Sequence, residues 1–285
     1  MINALTIDVE DYYSVFARDR LAIDRPPSDA VVRNTYRLLQ MLAERGVHAT
    51  FFILGEVAAE FPKLPRMIAD AGHEIGVHGF SHRQLFRMTP PEFRQEIFDA
   101  RKRIEDAAGV ATAGHRAPAF SIGPDTRWGL DVLAELGFRY DSSVFPFAGK
   151  RYGWPGFRGD IHRVELGGGR SIIECPLSTI SVLGKTLPVC GGGYLRHLPM
   201  WFTHYAMRKI QRSRPAIVYM HPYEIDTEGG PEFFSQALAN SPANVQKFHR
   251  DQLKKRQTVA GKLESLLSRY KFAPLRDVIE TTINM

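Results

Sequence analysis

A chain of 285 residues with 44% hydrophobic and 24% charged residues has the size and make-up of one α/β domain, which excludes both a disordered chain and a small disulfide-stapled scaffold. No apolar run approaches the ~20 residues of a membrane-spanning helix, and the first strand pattern begins within a few residues of Met1, so a cytoplasmic protein with no transmembrane segment is expected. The net charge of +6 comes from basic residues spread along the chain; this reads as a solvated basic surface, compatible with an acidic glycan or a membrane-apposed partner, and not as a nucleic-acid stripe.

Apolar runs of strand character recur at residues 4–9, 47–54, 74–77, 138–140, 171–175 and 216–220, with helical patterns between most of them. The first helix is expected over 31–45, where Val31, Val32, Tyr36, Leu38, Leu39 and Leu42 form a broad apolar face that stops at Gly46. The second, 56–71, stops at Gly72; the third, 91–108, opens after Thr89-Pro90 with acids in its first turn and stops at Gly109; the fourth, 125–136, stops at Gly137. Helices that end on glycine and lead into strands describe a repeated βα unit, hence a barrel or a doubly wound sheet.

Residues 146–169 break this rhythm with many Gly, Pro and aromatic residues, too many aromatics for a flexible linker. Two readings stand side by side: an ordered wall or lid over the mouth, and a satellite core beneath the barrel. One long helix over 244–270 follows, basic on one side, with Leu253, Val259, Leu263, Leu266 and Leu267 for burial. Cys175 and Cys190 read as reduced, mostly buried thiols.

Chemistry gathers where two of the strands stop. Residues 4–7 end in Asp8-Val9-Glu10-Asp11, and residues 74–77 end in His78-Gly79-Phe80-Ser81-His82. In parallel α/β folds the carboxyl ends of strands converge on one mouth, so distant clusters meet there. His78 and His82, four residues apart, share a face in a single helical turn or a tight loop. On their own they are more simply two loop histidines beside a core strand. The acids at a second strand end shift that balance, because a carboxylate and two imidazoles hold a divalent metal while leaving positions open for water and substrate. That pattern points to hydrolysis.

Three further motifs follow in order: Arg116-Ala117-Pro118-Ala119-Phe120, Tyr140-Asp141-Ser142-Ser143, and Tyr219-Met220-His221-Pro222-Tyr223. With the two clusters above and Thr50-Phe51-Phe52, they make the chain resemble the polysaccharide deacetylases of carbohydrate esterase family four, the NodB-homology group, over roughly residues 5–223. More narrowly, the Asp-Val-Glu-Asp-Tyr opening, the Asp-Ser-Ser-Val-Phe-Pro stretch and the Gly-Gly-Gly-Tyr-Leu-Arg-His segment resemble a bacterial subgroup. That subgroup accompanies exopolysaccharide loci linked to the exosortase and PEP-CTERM sorting system and carries an extra C-terminal region. The resemblance implies an α/β fold, a distorted (β/α) barrel with fewer than eight regular strands. A single catalytic domain over 1–285 is expected, with a NodB-homology core at 1–223, the ordered insertion at 146–169 and a C-terminal extension at 224–285.

The same resemblance implies roles. His78, His82 and one acid hold the metal; Glu10 matches the Asp-Xaa-Asp spacing of some relatives, and Asp11 matches the shorter side chain, so both remain candidates. Zinc is the expected ion, and cobalt, nickel or iron fits the same ligands. Asp8 is the expected base, Arg116 its holder and His221 the acid. Asp141 either partners His221 or makes a local Asx-turn. The backbone of Ala119 is expected at the oxyanion; tyrosine commonly follows the proline in relatives, so Phe120 or Trp154 is expected to replace that aromatic wall. Tyr12, Trp154, Trp201 and Tyr223 are candidates for sugar stacking, with core packing the simpler reading of each. Gly191-Gly192-Gly193 reads as a tight turn near the mouth. The implied activity is metal-dependent removal of acetyl from N-acetylhexosamine units of a bacterial exopolysaccharide or its precursor, in association with membrane-bound synthesis machinery. An allantoinase-type amidohydrolase and a catalytically silent glycan-binding subunit are the rivals.

Overall fold

The computed structural model describes residues 1–149 and 152–283, so residues 150 and 151 of the expected insertion and the last two of the expected extension lie outside the described residues. Eleven strands are described: β1 (Ile2–Val9), β2 (Thr50–Ile53), β3 (Glu74–Val77), β4 (Gly114–His115), β5 (Tyr140–Asp141), β6 (His162–Glu165), β7 (Ser171–Glu174), β8 (Thr179–Val182), β9 (Lys185–Pro188), β10 (Ile217–Met220) and β11 (Lys271–Ala273). Seven run parallel in the order β10-β1-β2-β3-β4-β5-β7, with β6 antiparallel at the far edge and β11 parallel to the start of β1. The sheet does not close, and β4 and β5 contribute only two residues each, which is the distortion expected of the barrel.

Strand alternation sorts the core into two. Ala4, Phe52, Tyr140, Ile173, Ile217 and Tyr219 belong to the cluster that fills the barrel, whereas Leu5, Ile7, Phe51, Ile53, Ile75, Val77, Val218 and Met220 pack under the helices. Tyr140 needs glycine opposite: a Cβ on Gly114 would lie 2.0 Å from its ring. Helix Leu275–Ile283 stoppers the amino-terminal end of the barrel by adding Leu275, Val278 and Ile279 to the interior cluster. Its first turn is held by buried polar groups: Leu275 N–H donates to Thr50 Oγ1 (2.7 Å) and Arg276 N–H to Glu74 Oε2 (3.1 Å). Glu74 also accepts from Thr50 Oγ1 (2.6 Å) and Tyr140 Oη (2.9 Å), placing a carboxylate where a helix N-terminus favours one.

Two expected helices are broken. Residues 56–71 form Gly55–Glu60 and Lys63–Asp70, because Pro62 cannot continue the first and starts the second. The single helix expected over 244–270 is instead Ala243–Leu253 and Val259–Arg269, with Lys255 left-handed at φ 66° between them. The break turns Arg256 inward, where it is buried with its guanidinium 4.9 Å from the Tyr12 ring centroid and 5.3 Å from that of Tyr223. In the expected insertion, Phe147 and Tyr152 pack on the barrel interior, Trp154 and Phe157 on the outer core, and His162–Glu165 forms the edge strand β6. Cys175 and Cys190 are free and buried.

Candidate active site

The alternation that fills the barrel points Thr6 and Asp8 inward along β1, and Glu10 lies just beyond its end. Glu10 Oε2 sits 2.8 Å from His82 Nε2 and 3.6 Å from His78 Nε2. This oxygen is buried yet has no hydrogen bond, so two ring nitrogens and a carboxylate converge on one point without satisfying one another. A divalent cation fits that donor set. The turn that presents the histidines is a loop, with Gly79 at φ 83° and His82 itself left-handed at φ 60°, a conformation that costs a side-chain-bearing residue about 1–3 kcal/mol. His78 Nδ1–H donates to the Arg116 carbonyl (2.8 Å), which leaves Nε2 with its lone pair towards Glu10. Burial alone would raise the Glu10 carboxyl, but His82 and His221, with contacts from His78, hold it well below the usual carboxylate range.

Of the two candidate acids, Asp11 is occupied elsewhere. Its Oδ2 caps the helix Tyr12–Phe16 by accepting from Ser14 N–H (2.9 Å) and also accepts from Ser28 N–H (2.9 Å), while Oδ1 accepts from Ser28 Oγ (2.9 Å). Glu10 faces the histidines.

Arg116 is fully buried, and each of its nitrogens has a partner: Nε donates to Ser142 O (2.9 Å), Nη2 to Ser142 Oγ (2.9 Å), and Nη1 to Thr6 Oγ1 (2.7 Å) and Asp8 Oδ1 (2.8 Å). Its plane lies over Phe52, 4.5 Å from the ring centroid. A guanidinium fixed on this many sides holds one Asp8 oxygen and turns the other, Oδ2, towards His221 Nε2 at 3.9 Å.

The expected pairing of Asp141 with His221 is not met. Tyr140 points into the barrel, so Asp141 points out into the helix layer, where Oδ1 meets His115 Nδ1 (2.7 Å) and Ser143 Oγ (2.8 Å) and Oδ2 accepts from Ser143 N–H (3.0 Å), an Asx-turn. Its work is to fix Ser143, whose Oγ accepts from the Ala117 N–H (2.7 Å), next to the Ser142 that holds Arg116. The carboxylate beside His221 is Glu224: its Oε2 accepts from the His221 backbone N–H (3.1 Å) and lies 3.3 Å from Nδ1. Burial works against a charged His221, but Glu10, Glu224 and Asp8 outweigh it and raise the ring to about 9. Sequence reasoning missed Glu224, although an acid three residues after a residue followed by proline is a readable capping pattern.

A cavity of about 150 Å³ opens over this group, lined by Glu10, His82, Ala119, Tyr223, Phe248 and Gln252 among others. An adjoining one of about 240 Å³ shares Asp19, Arg20, Gln84 and Ala119 and adds Tyr152, Phe86 and Arg87. Ala119 and Tyr223 thus stand at the mouth, Ala119 in the left-handed region at φ 52°. Phe120 is turned into the barrel against Phe145 and Tyr219, and Trp154 packs on Phe157 at 4.7 Å; the aromatic that lines the cleft from this side is Tyr152. The glycines at 191 and 192 allow close approach to Tyr219, whose ring would meet a Cβ on Gly191 at 2.1 Å.

Residues 21–140 match the family model described as polysaccharide deacetylase, and residues 142–280 match a model described as a domain of unknown function, DUF3473. The chain is 33% identical over 108 residues to a peptidoglycan deacetylase of Helicobacter pylori, covering 38% of this chain and 36% of that protein. Against a chitooligosaccharide deacetylase of Bradyrhizobium sp. the figures are 34% identity over 97 residues, 34% of this chain and 42% of that protein, so the match spans well under half of either relative. Among solved structures, a Mycobacterium smegmatis protein assigned to the polysaccharide deacetylases shares the fold over 99% of this chain and 89% of its own, with TM-score 0.64 and 22% identity.

Proposed function

Taking residues 21–140 as a polysaccharide deacetylase domain, we propose that the chain is a metal-dependent N-deacetylase that removes acetyl from N-acetylhexosamine units of a bacterial exopolysaccharide or its precursor. The observation that carries this reading is the convergence of Glu10, His78 and His82 beside two separately held groups, Asp8 on Arg116 and His221 on Glu224.

Glu10, His78 and His82 would hold a divalent cation, zinc first and cobalt, nickel or iron as alternatives; when bound it polarises the acetyl carbonyl and makes water more acidic. The remaining work falls to side chains. Asp8 receives the proton of the attacking water at Oδ2, since Oδ1 is engaged by Arg116. His221, with Nδ1 towards Glu224, presents Nε2 to the mouth and gives its proton to the departing amine nitrogen. Base and acid are different residues here, and the acid serves a leaving amine too basic to depart unprotonated. Ala119 brings its backbone to the mouth for the developing oxyanion, and Tyr152 and Tyr223 offer rings to the sugar.

Acetate release from N-acetylglucosamine oligomers, measured before and after chelation and again after each metal is restored, tests the reading. Release that vanishes with chelator and returns with metal supports it. Hydrolysis of a cyclic amide in place of the oligomer, or glycan binding without acetate, would overturn it.

A further inference from the structure

Basic residues are spread along this chain, but the acidic ones are not. Between Cys175 and Tyr223 there is no Asp or Glu, while Lys185, Arg196, Arg208, Lys209, Arg212 and Arg214 all fall there. The other 31 Lys and Arg of the 37 are matched by the chain's 31 Asp and Glu, so this one segment carries the whole excess of +6. Arg196 is spent on Glu224, and Arg214 and Lys209 donate to the Thr179 and Ser181 carbonyls, but Lys185, Arg208 and Arg212 make no ion pair among the described residues.

The same segment exposes apolar groups. Helix Met200–Ile210 carries an outward stripe at helical spacing, Trp201, Tyr205, Arg208 and then Arg212, with Trp201 69% and Tyr205 41% exposed. Beside it lies the β8–β9 hairpin, joined where Lys209 Nζ donates to the Ser181 carbonyl and reaches over the Tyr205 ring. At the hairpin tip Leu183 is 98% exposed. Val182 pairs with Lys185, and Leu183 and Gly184 turn with φ 48° and 75°. A two-residue turn with both φ values positive favours Asn-Gly, so a leucine there is disfavoured twice, by backbone handedness and by contact with water.

We propose that this face docks on the surface of an anionic lipid bilayer, Leu183 and Trp201 entering the boundary between headgroups and acyl chains while Lys185, Arg208 and Arg212 lie over acidic headgroups. An aliphatic residue on a convex tip, flanked by Trp, Tyr and unpaired cations, matches the interfacial zone of a membrane, whereas a soluble acidic polymer needs the cations and gives no role to Leu183. Among the described residues no helix is long and apolar enough to cross a membrane, so the contact is peripheral and weakened by salt.

Co-sedimentation of the full chain with phosphatidylcholine vesicles, with and without phosphatidylglycerol, tests this without reference to deacetylation. Binding is expected only with phosphatidylglycerol. Partition should fall roughly fivefold for each of Arg208→Gln and Arg212→Gln, about 1 kcal/mol per charge. The double variant Leu183→Ser, Trp201→Ser should lose binding while keeping the wild-type melting temperature and acetate release from soluble oligomers. Equal binding to both vesicle types, no binding to either, or undiminished binding by the double variant would overturn the proposal. So would binding to a soluble acidic polysaccharide that displaces vesicles and survives Leu183→Ser, since the face would then belong to the polymer.

Discussion

Replacing Glu224 by Gln keeps an acceptor for the His221 backbone N–H and removes the negative charge beside Nδ1, so it isolates the electrostatic role of that carboxylate. A group that must donate a proton is competent below its pKa and fails above it. With the ring at about 9, roughly nine-tenths of His221 is protonated at pH 8; were it to return fully to 6.5, about 3% would be. The ratio, about 30-fold, sets the scale of the loss at pH 8 for a full return, and the loss is smaller to the extent that Glu10 and Asp8 still pull the ring upward. At pH 6 both forms are mostly protonated, and the loss should shrink to less than about twofold. The assay is kcat/KM on N-acetylglucosamine oligomers across pH, with metal content measured in each sample and thermal unfolding followed, since Arg196, 3.4 Å from Glu224, loses its partner. The expected result is an alkaline limb moved downward by one unit or more. A limb that stays in place, or a loss that is the same at pH 6 and pH 8, would refute the assignment of His221 as the acid tuned by Glu224.

Other variants separate neighbouring roles. Glu10→Gln should release the metal by elemental analysis, whereas Asp11→Ala should retain it and lower stability by about 0.5–2 kcal/mol through loss of the helix cap. Asp8→Asn should keep metal and lose activity by ~10²-fold or more; near-normal turnover would move the base elsewhere. Asp141→Asn should leave the alkaline limb where it is, because its partners are His115 and Ser143 and not His221. Ile279→Ala should cost about 2–5 kcal/mol in denaturant unfolding with the metal site intact, because this side chain fills the closed end of the barrel.

How legible the site was depended on how clear an apolar run preceded each residue. The apolar run of β1 ends plainly in acid, so Asp8 and the acids beyond it stand out, although choosing Glu10 over Asp11 required Ser14 and Ser28, whose approach to Asp11 no spacing announces. Asp141 follows a strand of only two residues, and with so little pattern the phase could not be set; its outward direction is decided by Tyr140 claiming the interior. Arg116 was assigned by resemblance, and the structure adds the reason it stays put, since Ser142, Thr6 and Asp8 take its donors. The strands that escaped notice, β4, β6, β8, β9 and β11, are two to four residues long and rich in polar or exposed residues, so they carry little hydrophobic periodicity. The break at Lys255 escaped because the apolar spacing on both sides is helical and only burial of Arg256 forces the turn.

The pairing of β1 bears on when the proposed catalytic centre comes into being. Its neighbours include β2, about 45 residues on, but also β10 and β11, and the contacts of Asn3 with Ala216 and Lys271 close loops of 213 and 268 residues. Such long-range pairings form slowly, and a ribosome delivers those partners more than two hundred residues after β1. Asp8 and Glu10 therefore leave the ribosome early but remain on a strand whose other side is unpaired until His221 has been made. The proposed metal ligands, carried at the ends of β1 and β3, can gather first, and the proposed acid joins the proposed base only once β10 has paired with β1.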